Sequence, residues 1–252
     1  MILYLRSALF LVWFIVVSVI MNVGALPLLL LPYRFTLKTA GLWARLVLFG
    51  LRTIAGMGIE VRGGLEDPHV LVAAKHFSMW ETVALLALLP APAIVLKRSL
   101  LRVPFYGWYC RKMRMIAIDR AAGSKAIRLM HGEAGRALKE GRPIVIFPEG
   151  TRRKPGDPPD YRPGVAGLYM QLGVPCVPVA HNSGLFWDGG FFRKPGTVIF
   201  EFLPAIPPGL SRRDFMGLLE SRIEEASNRL LAEGRRGTGF AKEPEWTMNQ
   251  RG

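Results

Sequence analysis

Residues 70–82 read VLVAAKHFSMWET and join a short apolar run to the start of a helical pattern. Val70–Ala74 contains only apolar residues, which predicts a strand that is buried on at least one face of a sheet. His76 and Glu81 follow in the turn that leads from this strand into the next helix. Polar groups at the carboxyl end of a strand in an open α/β sheet lie at the usual ligand crevice. The stretch therefore predicts an α/β fold and indicates where its chemistry takes place.

Five further apolar runs repeat this pattern along the chain and alternate with helical segments. They are Ala93–Lys97, Met115–Ile118, Pro143–Phe147, Cys176–Ala180 and Thr197–Phe202. Ser124–Glu140 and Arg212–Leu231 have apolar residues at helical spacing, and Ser211 with Asp214 forms a capping pattern before the second helix. Alternating strands and helices predict a mainly parallel or mixed sheet flanked by helices. We expect this α/β domain to occupy residues 61–233 and a flexible polar tail to occupy residues 234–252.

The N-terminal region is apolar enough to bind a membrane. Residues 7–33 contain no charged side chain, and about 20 apolar residues in a helix are sufficient to cross the hydrocarbon layer. Phe35–Gly58 mixes basic and apolar residues, which is typical of an amphipathic interfacial helix. Residues 1–60 therefore form a predicted membrane-anchoring helical segment, which either spans the bilayer or lies in one leaflet. Basic residues follow the apolar run, so we expect the rest of the chain on the cytoplasmic side of the inner membrane.

The charge balance favours an anionic partner. The chain carries 33 basic and 19 acidic side chains, for a formal net charge of +14. Seven basic residues lie between Lys97 and Arg120, interleaved with aromatic residues. This combination suits an anionic membrane surface or a phosphorylated substrate, and it also suits nucleic acid. The two cysteines, Cys110 and Cys176, indicate neither a disulfide framework nor a metal site, and we expect both to be buried thiols.

Two short clusters can carry chemistry. In the first, the Glu81 carboxylate can fix the tautomer of His76 and stabilise the imidazolium that forms when the ring accepts a proton. The second cluster, FPEGTR at residues 147–152, also follows a predicted strand. Gly150 permits a tight turn there, and Thr151 and Arg152 can bind a phosphate or hydroxyl groups. The histidines lack the spacing of metal ligands.

Four sequence blocks, in order, resemble the glycerolipid acyltransferase family and specifically its bacterial 1-acyl-sn-glycerol-3-phosphate acyltransferases. The first is the His-x4-Asp block, which here runs from His76 to Glu81. The second ends in IAIDR at residues 116–120, the third is FPEGTR, unaltered at residues 147–152, and the fourth is VPVA at residues 177–180. Together the blocks cover roughly residues 75–184, and the apolar N-terminus also fits the family.

The resemblance implies acyl transfer from a thioester to the sn-2 hydroxyl of 1-acyl-glycerol-3-phosphate, which gives phosphatidic acid. It implies that His76 and Glu81 form the catalytic pair and that the remaining block residues bind the lysophospholipid. These predicted substrate-binding residues are Lys97, Arg120, Glu149, Gly150, Thr151 and Arg152. The donor is acyl-CoA or acyl carrier protein, which makes the carrier protein a possible partner. We expect no bound cofactor, no metal and no nucleic acid.

Two departures from the family pattern leave alternatives open. Glu81 replaces the usual Asp, which lengthens the reach to His76 but keeps the carboxylate. Arg114 stands where many members carry Gly, which could change the headgroup preference towards another lysolipid, such as a lyso-ornithine lipid. A basic membrane or nucleic-acid binding protein without catalysis also fits the charge, but it leaves the His76–Glu81 pair and the FPEGTR block unexplained.

Overall fold

The computed structural model describes residues 1–119 and 123–237, and it contains a seven-stranded mixed sheet. The strand order is β1-β7-β6-β2-β5-β3-β4, and every neighbouring pair is parallel except β6 and β7. The strands are β1 Met57–Arg62, β2 Leu71–Ala74, β3 Ala93–Lys97, β4 Ile116–Ile118, β5 Ile144–Ile146, β6 Cys176–His181 and β7 Gly196–Phe202. The predicted fold class is confirmed, and the six predicted strands are present with ends that differ by at most one residue.

Helices cover both faces of the sheet. They are α1 Ile2–Gly24, α2 Tyr33–Gly50, α3 Trp80–Leu88, α4 Tyr106–Lys112, α5 Gly123–Lys139, α6 Gly164–Leu172 and α7 Arg212–Gly237. Alternate residues of β2 point to opposite sides, because side chains alternate across a strand. Val72 and Ala74 join the core with α1 to α4, whereas Leu71 and Ala73 join the core with α5 to α7. This double burial explains the continuous apolar run at residues 70–74.

The N-terminal helices form a hairpin packed on the domain. The apolar run breaks after Gly24 into a short 3-10 turn, Leu26–Leu30, that contains Pro27. Helix α1 is long and apolar enough to cross a membrane. Its most apolar 18-residue stretch has a mean hydropathy of 2.2, and 17% of that stretch is buried inside the protein. The Trp13 indole donates to the carbonyl of Leu46 over 3.0 Å, which joins α1 to α2.

The predicted amphipathic helix ends earlier than Gly58, so the predicted end is wrong. Helix α2 ends at Gly50 and continues as a π turn, Leu51–Ala55, and Gly56 then adopts a left-handed conformation with φ of 72° that ends the helical segment. Strand β1 begins at Met57, so it crosses the boundary expected at residue 60. The apolar pattern does not reveal this strand, because half of its residues are exposed and it includes the charged Glu60 and Arg62.

The C-terminal helix is longer than predicted. Ser211 accepts a hydrogen bond from the Asp214 amide over 3.2 Å, as the capping pattern indicates. Helix α7 then continues to Gly237, past the expected start of the tail at residue 234. Gly234 is buried against Asn182 of the segment after β6, so packing extends the helix. The rest of the predicted tail, residues 238–252, lies outside the described residues.

Gly107 allows helix α4 to pack against the turn that precedes it. An added Cβ at Gly107 would lie 2.1 Å from the backbone oxygen of Leu101, which a flexible side chain cannot relieve. Gly132, in the middle of α5, has nothing within 4 Å of the same position. The two glycines therefore differ in what a methyl group would meet.

We expect Gly107→Ala to lower the free energy of unfolding by about 1–3 kcal/mol, because the backbone must shift to accept the methyl group. Gly132→Ala is the matched control and should raise it by about 0.5–1 kcal/mol through helix propensity. Thermal or denaturant unfolding of both variants in the same detergent measures the difference. Equal stability of the two variants would contradict the packing described for α4.

Candidate active site

His76 and Glu81 are hydrogen-bonded at the carboxyl end of β2. The His76 Nδ1 lies 2.7 Å from Glu81 Oε1, and the carboxylate is fully buried in the first turn of α3. The His76 side chain keeps 15% of its surface exposed. An ionised carboxylate can only accept hydrogen bonds, so Nδ1 carries the ring proton and Nε2 is left with its lone pair.

Three further hydrogen bonds hold the Glu81 carboxylate in place. The Ser78 amide donates to Oε1 over 2.7 Å, and the hydroxyls of Ser78 and Ser183 each donate to Oε2 over 3.2 Å. Burial raises the pKa of Glu81, but the hydrogen bond from His76 and the other donors outweigh it and leave this pKa below its ordinary value. Glu81 is therefore an anion at neutral pH in spite of its burial.

A buried ion-pair network lies directly behind His76. The Lys75 ammonium donates to Glu149 Oε1 over 2.7 Å and to Glu224 Oε1 over 2.6 Å, and Tyr161 donates to the same Glu224 oxygen over 2.8 Å. The second Glu149 oxygen accepts the backbone N–H of His76 over 3.0 Å. Burial raises the pKa of Glu149, and the hydrogen bond and charge of Lys75 oppose that rise. The network thus connects the Lys75 ammonium, through Glu149, to the backbone N–H of His76.

The backbone on both sides of His76 is held by other contacts. His181 Nε2 lies 2.8 Å from the carbonyl of Lys75, and the amide of Arg153 donates to the carbonyl of His76 over 2.9 Å. The ring of Phe147 stacks on the imidazole with 4.1 Å between the centroids. Burial lowers the pKa of His181, so this second histidine is neutral and acts as a hydrogen-bond donor to the loop. The two backbone hydrogen bonds and the stacked ring of Phe147 therefore fix the position of the imidazole.

The predicted substrate-binding residues are placed differently from one another. Lys97 is exposed at the end of β3, and Thr151 and Arg152 are exposed in the turn after β5. Gly150 has a left-handed φ of 68°, which explains the glycine in that turn. Because β2, β5 and β3 are parallel neighbours, these residues lie at the same edge of the sheet as His76. Arg120 lies outside the described residues.

Glu149 does not have the exposure expected of a substrate-binding residue. Its side chain is fully buried and both of its oxygens already accept hydrogen bonds from Lys75 and His76. The sequence also did not reveal the hydrogen-bond network that Lys75, Glu224 and Tyr161 form with Glu149. One signal was available, since a lysine that directly follows a fully buried strand needs an acidic partner, but no pattern in the sequence identifies two partners so far along the chain.

Within residues 1–119 and 123–237, no cluster of three or more His, Cys, Asp or Glu side chains could hold a metal ion. Both cysteines are free and buried, as expected. Burial raises the pKa of Cys110 to about 11, so this side chain is a neutral thiol at physiological pH. The chemistry that the arrangement offers is proton transfer at His76.

Comparisons with known proteins agree with this arrangement. Residues 58–182 match the family model described as Acyltransferase. The chain is 36% identical over 177 residues to a 1-acyl-sn-glycerol-3-phosphate acyltransferase of Pseudomonas aeruginosa. That alignment covers 69% of this chain and 68% of the relative. It is 27% identical over 213 residues to the human 1-acyl-sn-glycerol-3-phosphate acyltransferase alpha, which covers 79% of this chain and 74% of that relative.

A solved structure shows the same fold. The crystal structure of the 1-acyl-sn-glycerophosphate (LPA) acyltransferase, PlsC, from Thermotoga maritima superposes with a TM-score of 0.74 and 21% identity, covering 90% of this chain and 97% of that chain. The family match spans both β2 with its His76–Glu81 pair and β5 with its following turn. Identity at the level found for the Pseudomonas protein, over most of both chains, shows that this chain belongs to the acyltransferase family.

Proposed function

We propose that the enzyme transfers an acyl group from acyl-CoA or acyl carrier protein to the sn-2 hydroxyl of 1-acyl-glycerol-3-phosphate, giving phosphatidic acid. The observation that carries the proposal is the 2.7 Å hydrogen bond between His76 Nδ1 and the buried Glu81 carboxylate. The activity named for the relatives from Pseudomonas and human supports the choice of acceptor. A lysophospholipid and a membrane are therefore the proposed partners.

The proposed reaction is general base catalysis by His76. As the acceptor oxygen attacks the thioester carbonyl, Nε2 removes the hydroxyl proton, because an alcohol is too weak an acid to ionise alone at neutral pH. The new C–O bond forms, the C–S bond breaks, and the proton on Nε2 passes to the departing thiolate. Glu81 acts through the ring, since its charge stabilises the imidazolium that exists between these proton transfers.

We assign the acceptor phosphate to the exposed basic residues at this edge of the sheet. Arg152 follows the left-handed Gly150 in the turn after β5, and Lys97 ends the neighbouring strand β3. An Arg guanidinium binds a phosphate with two parallel hydrogen bonds, and a Lys ammonium adds a point charge. Arg120 remains part of the proposed phosphate site on the family resemblance alone.

We assign Glu149 a positioning part in place of the substrate-binding part that the resemblance implies. Its carboxylate accepts the backbone N–H of His76 and is held there by Lys75, so it acts on the substrate only through the catalytic loop. Breaking a buried ion pair leaves an uncompensated charge, which costs more than the pair itself contributes. Lys75 and Glu149 therefore depend on each other for both stability and the placement of His76.

We propose that the N-terminal hairpin lies in one leaflet of the membrane. Helix α1 contacts the domain near both ends, through Ser7, which accepts the amide of Arg193, and through Asn22, whose carbonyl accepts the hydroxyl of Tyr109. A spanning α1 would carry these attached parts of the domain into the bilayer. The outer side of α1 exposes large apolar residues, and each is stabilised by about 1.5–3 kcal/mol on burial.

The structure offers no reason to prefer the other acceptor. Arg114 has a left-handed φ of 55°, which explains why glycine suits this position in the family pattern. Its guanidinium forms an ion pair with Glu140 and stacks on the ring of Tyr33 at 4.4 Å. Neither partner takes part in the contacts around His76, so Arg114 does not support a change in headgroup preference.

We expect His76→Ala to lower kcat/KM for acyl transfer to lysophosphatidic acid by roughly 10²- to 10⁴-fold, because the general base is lost. His69→Ala is the matched control, since His69 is exposed and hydrogen-bonds to the exposed Asp67. Its activity should stay within a few-fold of the unmodified enzyme. Initial rates with purified protein measure both, and a His76→Ala enzyme as active as the control would remove the proposed mechanism.

We expect Lys75→Met to lower the free energy of unfolding by about 3–5 kcal/mol, because the buried Glu149 and the partly buried Glu224 lose the ammonium group that they share. Adding Glu149→Gln to Lys75→Met should restore at least half of that loss, since the amide oxygen can still accept the His76 N–H. Denaturant titration of the two variants gives both values. A double variant no more stable than Lys75→Met would show that the ion pair does not hold the loop.

The KM for lysophosphatidic acid separates the two parts considered for Glu149. A KM of the double variant near the native value supports positioning, because loss of an acceptor-binding residue would raise it.

A further inference from the structure

A cavity of about 430 Å³ runs along the edge strand β4, between α4 and α5. Six charged side chains line it, four of them basic: Arg111, Arg114, Arg136, Arg142, Glu133 and Glu140. Strands β5 and β3 lie between β2, which precedes His76, and β4. At a strand spacing of about 4.8 Å, β4 lies about 14 Å from β2. None of the residues that line the cavity is among those placed around His76 or assigned to the acceptor phosphate.

Arg142 brings a buried, partly unpaired guanidinium to this cavity. Its residue exposure is 2%, and its Nε and Nη2 donate to the carbonyls of Ala91, Pro92 and Met113. Its Nη1 forms an ion pair with Glu140 Oε2 at 3.7 Å, but it has no partner within hydrogen-bond distance. A buried donor that makes no hydrogen bond is costly, so a ligand oxygen beside Nη1 would complete its hydrogen bonding.

Glu133 provides an unused hydrogen-bond acceptor at the same cavity. Its Oε2 is buried and accepts no hydrogen bond, although Glu133 lines the same cavity as Arg142. In the part of the chain that the structure describes, Arg111 and Arg136 form no ion pair, while Arg114 is paired with Glu140. The cavity thus offers several guanidinium donors for an anion and one carboxylate oxygen for a donor.

We propose that this cavity binds a phosphate ester that also carries an ammonium or hydroxyl donor. A guanidinium group can donate two parallel hydrogen bonds to two oxygens of one phosphate. In this cavity, Arg111, Arg136 and Nη1 of Arg142 would donate to the phosphate. The ammonium or hydroxyl group would donate to Glu133 Oε2. The proposal does not rest on the proposed acyl transfer, because no residue of the cavity contacts His76 or Glu81.

Such a ligand can be a lipid headgroup or a soluble ester. The cavity residue Arg114 stacks on Tyr33, the first residue of α2, and the preceding turn exposes Leu30 and Leu31. The membrane hairpin therefore adjoins the cavity, which makes a phospholipid headgroup accessible to it. The same chemistry is present in soluble phosphate esters, so the source is decided by experiment.

The direct test is calorimetric titration of the full-length protein in detergent with sn-glycero-3-phosphoethanolamine, which carries both a phosphate and an ammonium group. Arg152→Gln is present in every protein so that the proposed acceptor site does not contribute. We expect Arg111→Gln with Arg136→Gln to weaken binding by at least about 10-fold, because two phosphate contacts are lost. The matched control, Arg212→Gln with Arg213→Gln on α7, removes the same charge from a distant surface and should leave the affinity unchanged.

A second probe tests the part of Glu133. Glycerophosphocholine has the same phosphate but no hydrogen-bond donor on its nitrogen, so we expect it to bind more weakly, and Glu133→Gln should reduce the difference between the probes. No binding of either probe, or equal weakening by the cavity and control variants, would overturn the proposal. The cavity substitutions made without Arg152→Gln should leave acyl transfer unchanged under either result, so this failure is distinct from failure of the proposed function.

Nanodiscs that contain phosphatidylethanolamine identify the source of the ligand. If the cavity takes a lipid headgroup, these nanodiscs should displace the soluble probe, whereas phosphatidylcholine nanodiscs should displace it less. Retention of the soluble probe in both cases assigns the cavity to a soluble phosphate ester. Displacement that is equal for the two lipids would contradict the donor contact to Glu133.

Discussion

The proposed chemistry depends on one carboxylate that stays charged in the protein interior. Glu81 is fully buried, and burial alone would favour its neutral form, but the hydrogen bond and charge of His76 and the hydrogen bond from the Ser78 amide hold its pKa below the ordinary value. The charge is not available to solvent or to substrate, so its effect is directed at a single imidazole. Replacement of the family's Asp by Glu preserves this contact, because the helix start places the longer side chain at 2.7 Å from Nδ1.

The sheet makes this contact possible. Strand β2 is buried on both faces and carries His76 to the same edge as the turn after β5, where the buried Glu149 accepts the backbone N–H of His76. Lys75 would be unstable in such an interior alone, and its two carboxylate partners come from the turn after β5 and from α7. The loop that carries His76 is thus supported by elements that are distant in the sequence, so its geometry depends on the whole fold.

The sequence predicts the parts of the structure that local pattern controls. The apolar runs identified six strands, and the spacing of His76 and Glu81 across a strand-to-helix turn identified the pair that the structure brings into contact. Strand β1 was missed, since an edge strand with only one buried residue has no distinctive apolar pattern. The burial of Glu149 was also missed, because its partner Lys75 is 74 residues away and only the tertiary fold brings them together. Long-range polar contacts are the component that a single sequence does not reveal.

The tautomer of His76 tests the central claim most directly. Nitrogen-15 spectra of histidine-labelled protein at alkaline pH, assigned by the signals that disappear in His76→Ala, report which ring nitrogen carries the proton. The hydrogen bond to an ionised Glu81 predicts the proton on Nδ1 and an unprotonated Nε2 facing the substrate. A neutral ring with its proton on Nε2 would contradict the account, because the nitrogen assigned to remove the acceptor proton would already hold one.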